Sequence, residues 1–509
     1  MSIQKYPVGL QDFSEVITRE NVYVDKTTFI HRLLTSHKYY FLSRPRRFGK
    51  SLLISTFYYL FKGKKELFKG LFIEDKWEFD DYPVIRISFS NIGYREIPLD
   101  QALELELLEI AKDYGLELDA PSASLKFKEL IGALEQKFSK KVVVLIDEYD
   151  KPLIDYLDKD NLYLADQNRK ILKSFYSVLK DADPQLKLVF ITGISKFSQV
   201  SIFSDLNNLY DLTLRKEYNE ICGISQKEVE AYFPQELEHF DRNKIKKWYN
   251  GYRWHMSGDT VYNPFSLLNF FSGSGQYMNF WYSTGTPTFL MELSKTEHFY
   301  RFSEVSADMS DLQNFSIENI NLVPVLFQTG YLTMVGFDDV LNNAILSFPN
   351  FEVKESYLRN LADTYIQSQI SPSKVILSDI LKAFKAQDAE GLKIAINKAF
   401  KQIPNPIWQK ENEHFYHAIV HLLFSLLGVY IHSEVHTHGG RADAIISIEE
   451  GVFCLEFKLD KSAAEAIQQV KENHYLAAYE NKGKPMHIIG INFSREKKEI
   501  EELIWEKLS

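Results

Sequence analysis

Cysteine, low-complexity tracts and long hydrophobic runs are scarce in this chain, and each absence excludes a class of protein. Among its 509 residues the only cysteines are Cys222 and Cys454, which stand far apart without metal-ligand spacing. A disulfide framework is therefore excluded, and a cysteine-based metal site is not indicated. With 45% hydrophobic and 25% charged residues, the composition is typical of a folded protein, and the length allows about three domains.

No stretch is suited to a membrane or to export. The most apolar run, residues 418–431, is too short to span a bilayer and is interrupted by His421 and Ser425. The N-terminal residues lack the apolar core of a secretory signal. We therefore expect a cytoplasmic protein without membrane association.

An excess of basic residues is also missing. The formal net charge is -10, which argues against a uniformly basic surface for nucleic acid. A local basic groove is still compatible with this charge. The charge alone therefore leaves both a nucleic-acid partner and a protein partner open.

The stretch from Tyr39 to Leu52 has the order of a phosphate-binding loop. A short β-prone run leads into a basic loop that ends in Gly49-Lys50-Ser51, and an apolar helical pattern follows. Backbone N–H groups and the dipole at a helix start favour an anion there. We expect Lys50 to reach the β- and γ-phosphates of ATP and Ser51 to ligate Mg²⁺. The residues predicted to surround the nucleotide are Arg46, Arg47, Phe48, Gly49, Lys50, Ser51 and Leu52.

One position departs from the usual phosphate-loop pattern. The pattern is G-x-x-x-x-G-K-S/T, and Arg44 stands where the first glycine is expected. Taken alone, the stretch is equally compatible with an ordinary strand-to-helix turn with a basic rim.

Two later strands favour the nucleotide interpretation. Five apolar residues, Val142 to Ile146, predict a buried strand of a parallel sheet, which ends in Asp147 and Glu148. Asp147 is expected to hold Mg²⁺, and Glu148 to polarise the water that attacks the γ-phosphate. The next predicted strand ends at Thr192, which either contacts the γ-phosphate or its water, or caps a turn.

These features predict an α/β fold, a P-loop NTPase sheet with parallel strands and crossover helices. The predicted segments are an ATPase core, a helical lid, a helical connector and a last α/β domain of order αβββαβ. The lid is expected to contain a helix from Ser225 to Tyr232 that Ser225 caps. The connector contains a predicted hairpin, which is compatible with a winged-helix-like unit or with a plain connector. The segments span residues 1–218, 219–285, 286–405 and 406–509.

The last segment carries a second candidate site. Glu456 and Lys458 are two apart on a predicted strand and share a face, and Asp443 begins the neighbouring strand. Carboxylates suit Mg²⁺, and a lysine can orient the water or the scissile phosphate. Glu413 is a further candidate ligand, and Gln468 a candidate hydrogen-bond partner. The alternative is a surface hairpin with ordinary charges at its ends.

Together these stretches resemble a bacterial family in which an AAA-ATPase-like N-terminal region is fused to a PD-(D/E)xK nuclease-superfamily domain. The resemblance covers nearly the whole chain, and the arginine at position 44 is typical of the family. It implies ATP and Mg²⁺ at the phosphate loop, and a nuclease-like site with Mg²⁺ or Mn²⁺ that acts on DNA. The stretches that carry it are 44–51, 145–152, 192–197, 248–252, 440–443 and 456–458.

Two functional hypotheses follow, with a weaker third. The first is a DNA nuclease gated by ATP binding or hydrolysis; the second is a nucleotide-switched scaffold that binds nucleic acid or protein without cutting it. The third is an ATPase whose nuclease domain has decayed. A homo-oligomer is compatible with the sequence, and the unranked candidates for an arginine that reaches the phosphates are Arg46, Arg47, Arg215 and Arg253.

Overall fold

The computed structural model divides the chain into two compact units. The first comprises Met1–Thr284 and Ser303–Glu352, and the second Gly285–Phe302 and Val353–Ser509. The predicted connector is thus shared between them, and the four predicted segments stay a prediction. The residues described are 5–158, 160–196, 202–206, 208–281, 290–291, 293–294, 305–313, 320–366, 372–403, 419, 422–427, 435–436, 443–448, 450–477, 479 and 483–508.

The first unit is built on a five-stranded sheet of order β2-β3-β4-β1-β5, in which every pair of neighbours is parallel. Its strands are β1 Tyr39–Ser43, β2 Val84–Ser88, β3 Val142–Asp147, β4 Leu186–Gly193 and β5 Tyr210–Asp211. Every residue of β1 and β3 is buried, as expected for a sheet covered on both faces. This confirms the predicted parallel sheet. Because the strands are parallel, the carboxyl ends of β1, β3 and β4 lie at one edge.

Helices cover this sheet and continue into the region predicted as a lid. The helices are α1 Phe13–Thr18, α2 Thr27–Leu34, α3 Lys50–Phe61, α4 Leu99–Asp113, α5 Ala123–Phe138, α6 Lys151–Ile154, α7 Leu162–Asp181, α8 Gln226–Tyr232, α9 Pro234–His239, α10 Arg242–Tyr249, α11 Pro264–Ser272, α12 Met309–Gln313 and α13 Leu322–Gln328. The predicted cap of α8 is present, because the Ser225 side chain accepts from the Glu228 N–H in a capping box.

The first unit also holds two small antiparallel sheets. Strands β6 Ile224–Ser225 and β7 Val261–Tyr262 form one pair. The other sheet has the order β8-β10-β9, with strands β8 Val305–Asp308, β9 Thr333–Asp338 and β10 Asn343–Ser347. The predicted hairpin of β9 and β10 is confirmed, and β8 is an additional strand that the sequence pattern did not indicate.

The second unit contains a mixed five-stranded sheet in chain order, β11-β12-β13-β14-β15, in which only β13 and β14 are parallel. Its elements are α14 Phe351–Ile366, which begins in the first unit, α15 Pro372–Ala386, α16 Ala389–Phe400, β11 Val435–His436, β12 Ala444–Ile448, β13 Gly451–Leu459, α17 Ala463–Glu472, β14 Met486–Ser494 and β15 Glu499–Lys507. Strands β11, β12 and β13, helix α17 and strand β14 follow the predicted order. Strand β15 was not predicted and comes after them. Of the predicted first helix, residues 422–427 are described and helical. Among the helices that the structure describes, none is both long and apolar enough to cross a membrane.

Candidate functional site

The phosphate loop joins buried strand β1 to helix α3, which begins at Lys50. Gly49 has φ +88°, a left-handed conformation that a side chain would strain. Arg47 has φ +68°, which costs a non-glycine residue roughly 1–2 kcal/mol. The loop is therefore held in a conformation that local preference alone does not favour, as is common where backbone groups are arranged for a ligand.

Lys50 lies inside this loop. Its side chain is buried, and Nζ donates to the carbonyl oxygens of Arg44, at 2.9 Å, and Pro45, at 3.0 Å. The ammonium group of Lys50 is thus held against the loop by these two hydrogen bonds. The contact of Lys50 with the β- and γ-phosphates stays a prediction.

Arg44 explains why the first glycine of the usual pattern is not needed. Its guanidinium group is fully buried and donates to the carbonyl oxygens of Ser43, Thr213 and Tyr218 at 2.8–2.9 Å. It also lies 4.1 Å from the centre of the Trp254 ring. Burial lowers the pKa of Arg44 to about 10, so it keeps its charge at neutral pH. Arg44 supports the back of the loop.

A cavity of about 360 Å³ opens in front of the loop. It is lined by Arg46, Arg47, Gly49, Lys50, Ser51 and Leu52, all of which were predicted around the nucleotide. Glu148 also lines it, so the structure brings the phosphate loop and the acidic end of β3 to one cavity. Ser90 and Lys151 line it too, and neither was predicted as a site residue.

A second, smaller and more apolar cavity shares Gly49 and Leu52 with the first. Its other lining residues include Tyr23, Phe48 and Cys222. Phe48 is buried, and its ring packs edge-on against Tyr252 and Trp254. The polar and apolar cavities therefore meet at the start of α3.

Glu148 has a constrained position at the end of β3. Its backbone is left-handed, with φ +56°, and its Oε2 accepts a hydrogen bond from the Ser90 hydroxyl group. Ser90 follows β2, the neighbour of β3 in the sheet. The carboxylate is thereby fixed at the cavity by a partner from the adjacent strand end.

Asp147 and Thr192 form a pair behind the cavity. The Thr192 hydroxyl donates to Oδ1 of Asp147 at 2.6 Å, and both side chains are buried. The described residues that line the cavity include neither of them. The structure thus gives Thr192 the carboxylate of Asp147 as its partner, and the contact with a γ-phosphate stays a prediction.

Asp150 connects the loops that follow β3 and β4. It is fully buried and accepts from the N–H groups of Ile194 and Ser195 and from the Ser195 hydroxyl group, at 2.7–3.1 Å. Burial raises its pKa, which these hydrogen bonds oppose. No role was predicted for Asp150, although it stands three residues after Asp147 in the stretch 145–152.

Two of the candidate arginines are engaged elsewhere. Arg253 donates through Nε and Nη2 to the carbonyl oxygen of Met334, at 3.1 and 3.0 Å, which joins the predicted lid to β9. Arg215 lies 3.8 Å from the Tyr210 ring and donates to the Asp211 carbonyl oxygen. Neither arginine lines the cavity among the described residues. Which of the four candidate arginines reaches a phosphate stays open.

The second candidate site lies on the hairpin of β12 and β13. Ala444 pairs with Leu455, so Asp443 lies next to Glu456 at the start of the hairpin pairing. Asp443 Oδ2 accepts the N–H of Phe457 at 2.8 Å, and Lys458 Nζ lies 3.0 Å from Glu456 Oε1. The predicted convergence of two carboxylates and a lysine is therefore present.

The residue of α17 that contacts this site is Gln469, whereas Gln468 was predicted. Lys458 Nζ donates to Gln469 Oε1 at 2.5 Å, whereas Gln468 bonds to Glu472 on the exposed side of α17. Neighbouring helix positions differ by about 100° around the axis, so a one-residue error selects another face. Helix α17 lies close to the sheet because Gly490 has no side chain; a Cβ there would meet the Ala463 carbonyl oxygen at 2.3 Å.

The buried carboxylate Glu456 fits a divalent cation. Its Oε2 is buried and has no hydrogen-bond partner among the described residues. Burial and the charge of Asp443 raise its pKa, which Lys458 opposes. Two neighbouring carboxylates, one of which has this unbonded oxygen, are ligands of the kind that Mg²⁺ or Mn²⁺ prefers. Among the described residues, no group of three or more His, Cys, Asp or Glu side chains is arranged to hold a metal ion. The predicted ligand Glu413 lies outside the described residues.

Comparisons with known proteins match both halves of this description. Residues 7–203 match the model of a predicted AAA-ATPase, and residues 411–503 match that of the PD-(D/E)XK nuclease superfamily. A relative from Azotobacter chroococcum mcd 1, called "Uncharacterized protein in vnfD 5'region", is 36% identical over 524 aligned residues that span all of both chains. The chain therefore belongs to a family in which a predicted AAA-ATPase domain precedes a PD-(D/E)XK nuclease-superfamily domain.

Proposed function

We propose that this protein hydrolyses ATP at the phosphate loop and cleaves DNA at the hairpin site of the second unit, with the first activity gating the second. The observation that carries the proposal is the presence of two separate sites for phosphate chemistry on one chain. The first is built around Lys50 and Glu148, and the second around Asp443, Glu456 and Lys458.

Each part of ATP is assigned to one of the two cavities. The phosphates would lie in the polar cavity, where Lys50 and the N–H groups at the start of α3 supply positive charge. The base would lie in the adjoining apolar cavity beside Tyr23 and Phe48. Ser51 and Asp147 would hold the Mg²⁺ that accompanies ATP, and Glu148 would accept a proton from the attacking water.

The hairpin site has the groups that phosphodiester hydrolysis requires. Asp443 and Glu456 would hold a divalent cation, which lowers the pKa of a bound water and neutralises charge on the phosphate when bound. Lys458 would orient the water or the scissile phosphate, and Gln469 keeps its ammonium group in place. The buried Oε2 of Glu456, which has no partner among the residues that the structure describes, supports this assignment over a solvated surface hairpin.

Two assays test the two activities separately. ATP turnover should be lost in Lys50→Ala and kept in Lys64→Ala, because Lys64 is exposed and lies after the end of α3. Cleavage of linear, circular, single-stranded and branched DNA with Mg²⁺ or Mn²⁺ should be lost in Asp443→Ala and Lys458→Ala. It should be kept in Lys471→Ala, whose lysine pairs with Glu506 at the surface.

Each half has its own contradicting result. Unchanged ATP turnover in Lys50→Ala would overturn the ATPase assignment. Cleavage that survives in Lys458→Ala would place the nuclease activity elsewhere. Intact ATP turnover without cleavage of any DNA would overturn the nuclease half and favour the nucleotide-switched scaffold, which the acidic net charge also fits.

A further inference from the structure

Lys151 is a cation of the nucleotide cavity that the phosphate-loop motif does not include. It begins α6, directly after the acidic turn at the end of β3, and it lines the same cavity as Lys50 and Glu148. Its N–H donates to the carbonyl oxygen of Glu148 at 3.0 Å. One hydrogen-bonded turn therefore carries both Glu148 and this lysine to the cavity.

Lys151 shares its carboxylate partner with other donors. Its Nζ lies 3.0 Å from Oδ2 and 3.3 Å from Oδ1 of Asp155. The same Oδ2 accepts from the Tyr94 hydroxyl group at 2.5 Å and from Arg95 Nε at 3.0 Å. The side chains of Lys151 and Asp155 are mostly buried, at 19% and 12% exposure, whereas that of Arg95 is 62% exposed.

The charges of this cluster do not cancel. One carboxylate faces two cations, so one positive charge is left beside the cavity. Burial opposes ionisation of Asp155, but the bonds from Tyr94, Arg95 and Lys151 hold its pKa below the usual value. If Lys151 turns toward a phosphate, Asp155 keeps Arg95 and Tyr94 as partners. A buried carboxylate without such replacements would resist the loss of its ammonium partner.

We propose that Lys151 stabilises the transferring γ-phosphoryl group of ATP, and that Arg95 keeps Asp155 paired while Lys151 does so. The proposal rests on the proposed ATPase function and deepens it. Negative charge spreads over the equatorial oxygens of the γ-phosphoryl group during transfer, and a cation from the same or another chain often stabilises it. Here the chain itself supplies that cation from the turn that carries Glu148.

The test separates binding from turnover. In Lys151→Met, ATP turnover should fall by about 10³-fold or more, since a cation in this role is worth 10³–10⁵ in rate. The dissociation constant for ATP, measured by calorimetry with the hydrolysis-deficient Glu148→Gln background, should change by less than about 3-fold. Lys151→Arg should restore a substantial part of the rate, because it keeps the charge.

Two further variants exclude a general effect on the fold. Lys170→Met is the matched control, because Lys170 also pairs with an aspartate four residues away but lies exposed on α7; its turnover should equal that of the unmodified chain. Arg95→Met should lower turnover with ATP affinity unchanged, because Asp155 then depends on Lys151. The melting temperatures should agree among all four variants.

The failures are distinguishable. Absence of turnover in the unmodified chain would overturn the proposed function and this proposal together. Turnover in the unmodified chain that Lys151→Met leaves intact would overturn this proposal alone. Equal losses of affinity and rate in Lys151→Met would show that Lys151 binds the ground state, which also contradicts it.

Discussion

At the scale of single residues, the hydrogen bond between Ser90 and Glu148 determines where the proposed general base lies. The Ser90 hydroxyl donates to Oε2 of a glutamate whose backbone is left-handed. Without this bond the carboxylate can rotate away from the attacking water. We therefore expect Ser90→Ala to lower the turnover number for ATP by about 10-fold with little change in KM, since positioned proton transfer contributes 10²–10⁴-fold.

Steady-state ATP hydrolysis measures this effect. Ser177→Ala is the matched control, because the Ser177 hydroxyl donates locally, to the Ser174 carbonyl oxygen on an exposed helix face. A turnover number for Ser90→Ala equal to that of the control would show that the hydrogen bond does not position the base.

Glu456 makes metal binding at the hairpin site dependent on pH. Burial and the neighbouring Asp443 raise its pKa above the ordinary value of 4.5. Below the raised pKa the carboxyl is protonated, and a metal must displace that proton. Mn²⁺ affinity should therefore fall as the pH is lowered, and the fall should begin at a higher pH than for a glutamate of ordinary pKa.

Titration of the protein with Mn²⁺, followed by electron paramagnetic resonance, checks this without any activity. Glu456→Gln should bind Mn²⁺ more weakly and with a flatter pH profile, because it has no proton to lose. An unchanged affinity in Glu456→Gln would mean that Glu456 is not a ligand.

The roles and partners of single side chains were the hardest features to predict from the sequence. Ser90 belongs to no motif, although the rule that parallel strands end at one edge of a sheet could have pointed to it after β2. Lys151 stands in the stretch 145–152, but no role was predicted for it. The partners of Thr192 and Arg253 depend on side-chain directions and on contacts distant in sequence. Hydrophobic periodicity carries no information about either.

At the scale of elements, the phosphate loop depends on Arg44 for its support. Arg44→Gly would restore the usual motif but leave three buried carbonyl oxygens, of Ser43, Thr213 and Tyr218, without their donor. Each such loss costs roughly 1 kcal/mol or more, so we expect the variant to be destabilised by about 2–4 kcal/mol. Thermal unfolding followed by circular dichroism measures the change.

The matched variant is Arg44→Met, which keeps much of the side-chain volume and removes the donors together with the charge beside Trp254. It should lose most of the same stability if the hydrogen bonds to the carbonyl oxygens are the cause. An Arg44→Gly protein that melts like the unmodified chain and binds ATP equally well would contradict this account.

Helices and strands with a clear hydrophobic or capping pattern could be predicted, whereas a strand whose apolar spacing also suits a helix could not. The apolar strand β3 and the capped helix α8 were found because burial and capping are local in sequence. Strand β15 was missed because Glu499–Lys507 mixes acids with apolar residues at spacings that also suit a helix. It becomes a strand by pairing with β14, which a local pattern does not reveal.

At the scale of the whole molecule, the nucleotide site and the hairpin site belong to different compact units of one chain. Within the first unit, the Trp281 indole donates to the Arg46 carbonyl oxygen of the phosphate loop, and the Trp281 N–H donates to Glu352. Glu352 lies at the start of α14, a helix that continues into the second unit. Hydrogen bonds of Trp281 thus connect the phosphate loop to the start of this helix within the first unit.

The measurement that tests the central claim most directly is the rate of DNA cleavage with and without ATP. It should be made on the unmodified chain, on Lys50→Ala and Glu148→Gln, and on Lys458→Ala as the nuclease-deficient reference. The account predicts that ATP changes the cleavage rate of the unmodified chain, that Lys50→Ala does not respond to ATP, and that Lys458→Ala does not cleave. Cleavage that requires Lys458 but proceeds at the same rate with ATP, without ATP and in Lys50→Ala would contradict the claim that the ATPase site gates the nuclease.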